Sequence, residues 1–134
     1  MAVVAMALTF TSCSNDDAPE NNELDGLNKI MQIENTTHTI ELYSASGFLQ
    51  QGYNDISLKF KDKQTSKYIE NATVSWTPLM HMTMMTHSCP FSTVTKKSET
   101  KSLFNGYIVF QMAQNDTEYW DLEIKYTING TDYT

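Results

Sequence analysis

An all-β fold, an immunoglobulin-like antiparallel β-sandwich, is predicted by two features of this 134-residue chain. From residue 29 onward apolar residues recur with period 2 rather than 3.6, and turn-forming residues separate the runs. No long amphipathic helix and no internal repeat is visible. One face of each run is expected on a core and the other in water.

The runs follow in order. Ile40 and Leu42 alternate with Thr39, Glu41 and Tyr43. Ile56, Leu58 and Phe60 alternate with Ser57, Lys59 and Lys61. Ala72, Val74 and Trp76 alternate with Thr73, Ser75 and Thr77. Ile108, Phe110 and Met112 follow the turn-like Asn105-Gly106. Trp120, Leu122, Ile124, Tyr126 and Ile128 alternate with Asp121, Glu123, Lys125 and Thr127. Asn115-Asp116-Thr117 is expected to join the last two runs as a hairpin. About six strands of this kind suit a sandwich. Asn129-Gly130 is a strong two-residue hairpin signal followed by only Thr131-Asp132-Tyr133-Thr134, so the natural chain is expected to continue into a fuller return strand. The sandwich domain is accordingly assigned to residues 29–134, truncated at its C-terminus.

Composition excludes several classes of function. Nine lysines and no arginine stand against 16 acidic residues, for a net charge of −7. Without a basic patch or arginine forks, nucleic acid is not an expected partner. Five glycines leave no phosphate-cradling loop, and neither GxGxxG nor GxxxxGK[ST] occurs. No nucleophile stands with a base and an orienting acid, so no enzyme and no small organic substrate is expected.

The acidity is concentrated. Residues 14–26 carry Asp16, Asp17, Glu20, Glu23 and Asp25 without a lysine; removing those five from 16 leaves 11 acidic against 9 basic residues. Residues 14–28 therefore read as a flexible acidic tether. Residues 1–12 are apolar and small and too short to span a bilayer, which needs about 20 residues. They suit the apolar region of a secretory signal whose start is expected upstream. Thr11-Ser12-Cys13 resembles a bacterial lipobox, with Phe10 where Leu is usual. Cys13-Ser14-Asn15-Asp16-Asp17 resembles the acidic export signal of Bacteroidota surface lipoproteins. Residues 1–13 are thus expected to be a lipoprotein signal peptide with its lipidation cysteine. The protein would then sit in the cell envelope as an outer-membrane lipoprotein, periplasmic or surface-exposed, held to the membrane by its N-terminal lipid. The alternative is a buried N-terminal strand with Cys13 in the core.

The informative stretch is Trp76-Thr-Pro78-Leu-Met80-His81-Met82-Thr-Met84-Met85-Thr-His87-Ser-Cys89-Pro90. It holds four of the eight methionines, two of the three histidines and the only cysteine beyond the leader. Thioether and thiolate sulfur with imidazole is the ligand set that selects Cu(I). Thioethers form no disulfides and need no deprotonation, which suits metal capture in an oxidising compartment. The candidate metal ligands are Met80, His81, Met82, Met84, Met85, His87 and Cys89. Zinc fits less well, because Met is not a usual zinc ligand and His81, His87 and Cys89 supply three. Pro78 and Pro90 predict that the segment leaves the ladder as a loop. Were it extended, Met80, Met82 and Met84 would share one face, and His81 and Met85 the other. Trp76 continues the Ala72/Val74 face and belongs to the core, with stacking on the ion as the alternative. His38 stands alone on a strand and reads as structural. A redox thiol at Cys89 lacks a resolving partner. Four N-x-[ST] sequons, at Asn35, Asn71, Asn115 and Asn129, are taken as chance in an Asn/Thr-rich surface.

Trp76-x-Pro78, the Met/His cluster, Gly106-Tyr107 before an apolar strand, and Trp120-Asp-Leu122-Glu-Ile124 together resemble the YtkA-like domain. That domain is an immunoglobulin-like module of secreted bacterial proteins, akin to FixH and periplasmic copper carriers. The resemblance covers about residues 40–128. It implies copper handling and a β-sandwich, and by matched position it extends to Met80, His81, Met82, Met84 and His87. The His87-Ser-Cys89-Pro90 ending departs from the family pattern. The expected function is a non-enzymatic, lipid-anchored Cu(I) carrier or sensor that exchanges metal with a copper-donor or copper-acceptor protein. The alternative is a structural or adhesive surface module whose Met-rich loop is a protein-contact patch.

Overall fold

Alternating apolar residues close into two facing sheets in the computed structural model, which describes residues 22–134. Nine strands are formed among the described residues: β1 (Asn28–Glu34), β2 (His38–Ser44), β3 (Gly52–Asp62), β4 (Thr73–His81), β5 (Thr86–His87), β6 (Thr95–Lys96), β7 (Phe104–Phe110), β8 (Tyr119–Ile128) and β9 (Thr131–Tyr133). One sheet runs β1-β2-β3-β7-β6 and the other β5-β4-β8-β9, with every pairing antiparallel. The fold is all-β, a β-sandwich, as the periodicity predicts.

The predicted inner faces meet between the sheets. Ile40, Leu42, Ile56, Leu58, Phe60, Phe104, Ile108 and Phe110 from the first sheet bury against Val74, Trp76, Ile124 and Tyr126 from the second. Each such side chain removed from water contributes about 1.5–3 kcal/mol. Trp76 belongs to this core, its indole N–H donating to the Ser92 carbonyl at 2.9 Å. Its ring requires a glycine opposite. A Cβ on Gly106 would lie 2.6 Å from Trp76 Cζ2 and 3.0 Å from the Thr93 carbonyl oxygen.

Three local expectations are corrected. Asn115 does make a turn, accepting the Thr117 and Glu118 N–H groups on its side chain. It is not a hairpin between paired strands, because β7 and β8 lie in different sheets. The segment carries the chain across the sandwich. Pro78 does not end its strand: it is buried inside β4, opposite Leu122 of β8. Its carbonyl faces away from β8 and accepts the Ser88 hydroxyl at 2.6 Å. The nitrogen of an extended residue lies on the same edge as its carbonyl, so the missing N–H removes no bond to β8. The outward face of the first sheet is not simply in water either. Glu41, Ser57 and Lys59 are buried there. Glu41 accepts hydrogen bonds from Tyr43, Tyr68 and Lys29, and the Lys59 ammonium lies 4.0 Å from the centre of the Tyr68 ring.

The Asn129-Gly130 turn forms as expected, with positive φ at both residues (50° and 79°), the geometry of a type I′ hairpin. β9 returns only beside Tyr126, Thr127 and Ile128. His38 is buried beneath this hairpin, with Nδ1 2.9 Å from the Tyr126 hydroxyl and its ring edge-on to Tyr133.

The leader, Cys13 and residues 14–21 lie outside the described residues. Residues 22–28, read as the end of the tether, are held to the body. Asn28 already opens β1, and Glu23 accepts the backbone N–H groups of Lys101 and Ser102, the Ser102 hydroxyl and the Lys59 ammonium. Burial would raise the Glu23 carboxyl pKa, but these donors outweigh it and hold it at about 2 against an ordinary 4.5. A depressed carboxylate stabilises the fold above its unfolded pKa, and that stability is lost as pH falls toward the folded value. Glu23→Gln should therefore cost about 2 kcal/mol at pH 7. Urea unfolding at stepped pH should show that difference shrinking between about pH 4.5 and 2. A pH-independent gap would exclude the ionised contact as its source.

Candidate functional site

The Met/His segment is a β-hairpin rather than an irregular loop. Its two arms are the end of β4 and all of β5, with Met80 opposite His87 and His81 opposite Thr86. The Met82 N–H donates to the Met85 carbonyl at 2.9 Å, leaving Thr83 and Met84 as the connecting tip.

This turn regroups the candidate ligands. Alternation along β4 carries Met80 and Met82 to one face, and alternation along β5 brings Met85 and His87 to the same face. Met84 leaves that set because the chain reverses at it, and its side chain is 92% exposed. Met85 joins the set in its place, 59% exposed at the mouth. Met80 is fully buried and forms the floor. His81 points to the opposite face, where Nε2 sits 2.8 Å from Asp121 Oδ2 and the ring stacks on Tyr119 at 5.0 Å between centroids. The two histidines therefore do not converge.

His87 is oriented as a ligand would be. Its Nδ1 lies 2.9 Å from the Ser88 carbonyl oxygen. A carbonyl only accepts, so in the neutral ring Nδ1 is the nitrogen that carries the proton and Nε2 the one with the lone pair, the arrangement that fixes metal-ligating imidazoles. Trp120 of β8, opposite Met80, stands edge-on to His87 at 5.7 Å. Its indole N–H is held by the Met112 carbonyl at 2.9 Å and its ring leans on Phe110. The sequence marked Trp120 as a core residue and assigned any aromatic role near the site to Trp76. Trp120 neighbours the hairpin because β8 pairs with β4 along its whole length, a non-local fact.

Cys89 is drawn into the hydrophobic core. Burial pushes its thiol pKa up, away from the thiolate that binds metal or attacks disulfides. Among the described residues no group of three or more His, Cys, Asp or Glu side chains converges on a common point. What the hairpin face assembles is thioether sulfur and one imidazole.

No protein-family model, curated protein or solved structure matches the chain. The geometry of Cys89 has a direct consequence. Its alkylation by iodoacetamide in the folded protein should be at least about 100-fold slower than that of an exposed thiol, and should recover in urea. Rapid labelling of the folded protein would place the thiol outside the core.

Proposed function

We propose that this chain is a non-catalytic, immunoglobulin-like metal-capture module that holds Cu(I) on the β4–β5 hairpin. The ligands are the thioethers of Met82 and Met85 and Nε2 of His87, with Met80 as the floor and Trp120 as the wall. The observation that carries the reading is this grouping of sulfur and imidazole on one hairpin face. The exposure of Met85 supports it, because a gap-filling methionine would be covered. Two thioethers and a neutral imidazole form a soft, uncharged set, which favours a soft monovalent ion over Zn(II). His81 and Cys89 drop from the ligand set on this reading, the first because it lies on the opposite face beside Asp121 and Tyr119 and the second because it is buried in the core. The resemblance to the YtkA-like domain points the same way.

Replacing Met by Leu keeps volume and apolarity and costs under about 1.5 kcal/mol of stability. Competition with a Cu(I) chelator should therefore show the Met82→Leu/Met85→Leu double variant, still folded, binding at least about tenfold more weakly, a loss of about 1.4 kcal/mol. Met84→Leu should leave affinity nearly unchanged. Equal, weak binding by all three proteins would leave the second reading, a protein-contact hairpin. That reading is favoured by the bare Met84 tip.

The same proposal includes anchoring by lipid on Cys13, supported by the apolar run before it and the acidic residues after it. Cys13→Ala should move the protein from the membrane to the soluble fraction on cell fractionation. Unchanged membrane association would rule out lipidation at Cys13.

A further inference from the structure

The β4–β5 hairpin lies at one edge of its sheet, across β4 from β8 and β9. Its four methionines span the range from core to solvent. Met80 is fully buried and Met82 half-buried, whereas Met85 is 59% and Met84 92% exposed. A thioether needs no proton loss to react with a peroxide, so access to the sulfur decides which methionine is oxidised. Access here follows from the turn. The bond from the Met82 N–H to the Met85 carbonyl makes Thr83 and Met84 the tip and leaves Met85 at the mouth of the ligand face. Cys89, the one thiol among the described residues, offers no competing target, because it lies in the hydrophobic core and burial disfavours its thiolate.

We propose that Met85 is a reversible oxidation switch on this hairpin: hydrogen peroxide converts its thioether to the sulfoxide, and the hairpin releases Cu(I). The switch rests on the metal reading above. In the reaction one peroxide oxygen bonds to the Met85 sulfur as the O–O bond breaks, and the other leaves as water. The sulfur gives up two electrons and the peroxide takes them. A sulfoxide offers a hard oxygen and an electron-poor sulfur in place of the soft thioether, so a soft monovalent ion loses one of its three ligands. Met84 oxidises beside it without entering the ligand set, and Met80 is sealed beneath, so the floor of the site is spared. The added oxygen on Met85 points into water, and the fold has no reason to give way. The same exposure opens the sulfoxide to a methionine sulfoxide reductase, which returns the thioether at the expense of a thiol pair.

The test treats the whole metal-free chain with graded hydrogen peroxide, quenches with catalase and maps each methionine by peptide mass spectrometry. Met84 and Met85 should oxidise at least about tenfold faster than Met80. At a dose that modifies Met85 and spares Met82, the chain, still folded by circular dichroism, should bind Cu(I) about tenfold or more weakly in chelator competition. Met84→Leu, which removes the tip sulfur, should show the same loss. A methionine sulfoxide reductase with dithiothreitol should restore the affinity. Oxidation of Met80 or Met82 ahead of Met85, unchanged affinity in the Met85 sulfoxide, or a loss absent from Met84→Leu overturns the proposal. A loss that the reductase leaves in place is irreversible damage and overturns it equally. The untreated chain separates this proposal from the one it rests on. If that chain binds no Cu(I), the metal reading falls and the switch with it; if it binds and its Met85 sulfoxide binds as well, the switch alone falls.

Discussion

The two sheets are unequal, and most of the molecule follows from that mismatch. Among the described residues the first sheet has four strands of seven residues or more, whereas the second has two long strands, β4 and β8. An apolar face must be covered by something, and two long strands do not cover four. Over β3 and β7 the cover is complete, and Ile56, Leu58, Phe60, Phe104 and Ile108 are sealed. Over β1 it is not, and Ile33 and Met31 stay part-exposed. Trp76 anchors the covered half, filling the space that Gly106 leaves on β7. A residue larger than glycine at 106 would collide with the Trp76 ring and the Thr93 carbonyl, forcing the packing there to shift.

The same mismatch positions the hairpin. β5 has only two paired residues, so the tip beyond Met82 and Met85 extends past the ladder. Met85 is exposed there, while Met80, one repeat further in, is buried. Sulfur therefore grades from core to solvent along one face within a few residues. His87 at the inner end is fixed by Ser88, and Ser88 in turn donates to Pro78. The proline that the sequence marked as a strand breaker thereby helps hold the second arm of the hairpin. Its carbonyl, turned away from β8, anchors the chain just after His87.

The long strands were legible from the sequence because alternation is a local property. The alternating runs in β2, β3, β4, β7 and β8 were all marked by period 2. β1 was not resolved as a strand, because a bulge between Lys29 and Met31 sets Ile30, Met31 and Ile33 out of step. β5 and β6, two residues each, carry no period at all. The chemistry of the Met/His segment was visible as composition, but its grouping was not. Which of Met84 and Met85 shares a face with Met80 depends on where a two-residue turn falls, and Met82–Met85 pairing decides it. The turn at Asn115 was equally visible, and its side-chain hydrogen bonds are local, but whether the next strand pairs with β7 or crosses to the other sheet is a tertiary choice.

Glu23 shows the same boundary for charge. Its neighbours in the chain are polar and acidic, which read as a solvated tether. Its partners are Lys59, Lys101 and Ser102, far along the chain. One carboxylate seated on two backbone N–H groups and an ammonium is enough to dock the segment before β1. Docking there also covers Lys59 on the outward face of the first sheet, so an acidic residue helps exclude water from a face that alternation alone assigned to solvent. The outward face of the first sheet is thus covered by residues outside its named strands, Glu23 and Tyr68, whereas its inner face is covered only in part. The incomplete stretch lies over β1, where Met31 and Ile33 stay exposed among the described residues.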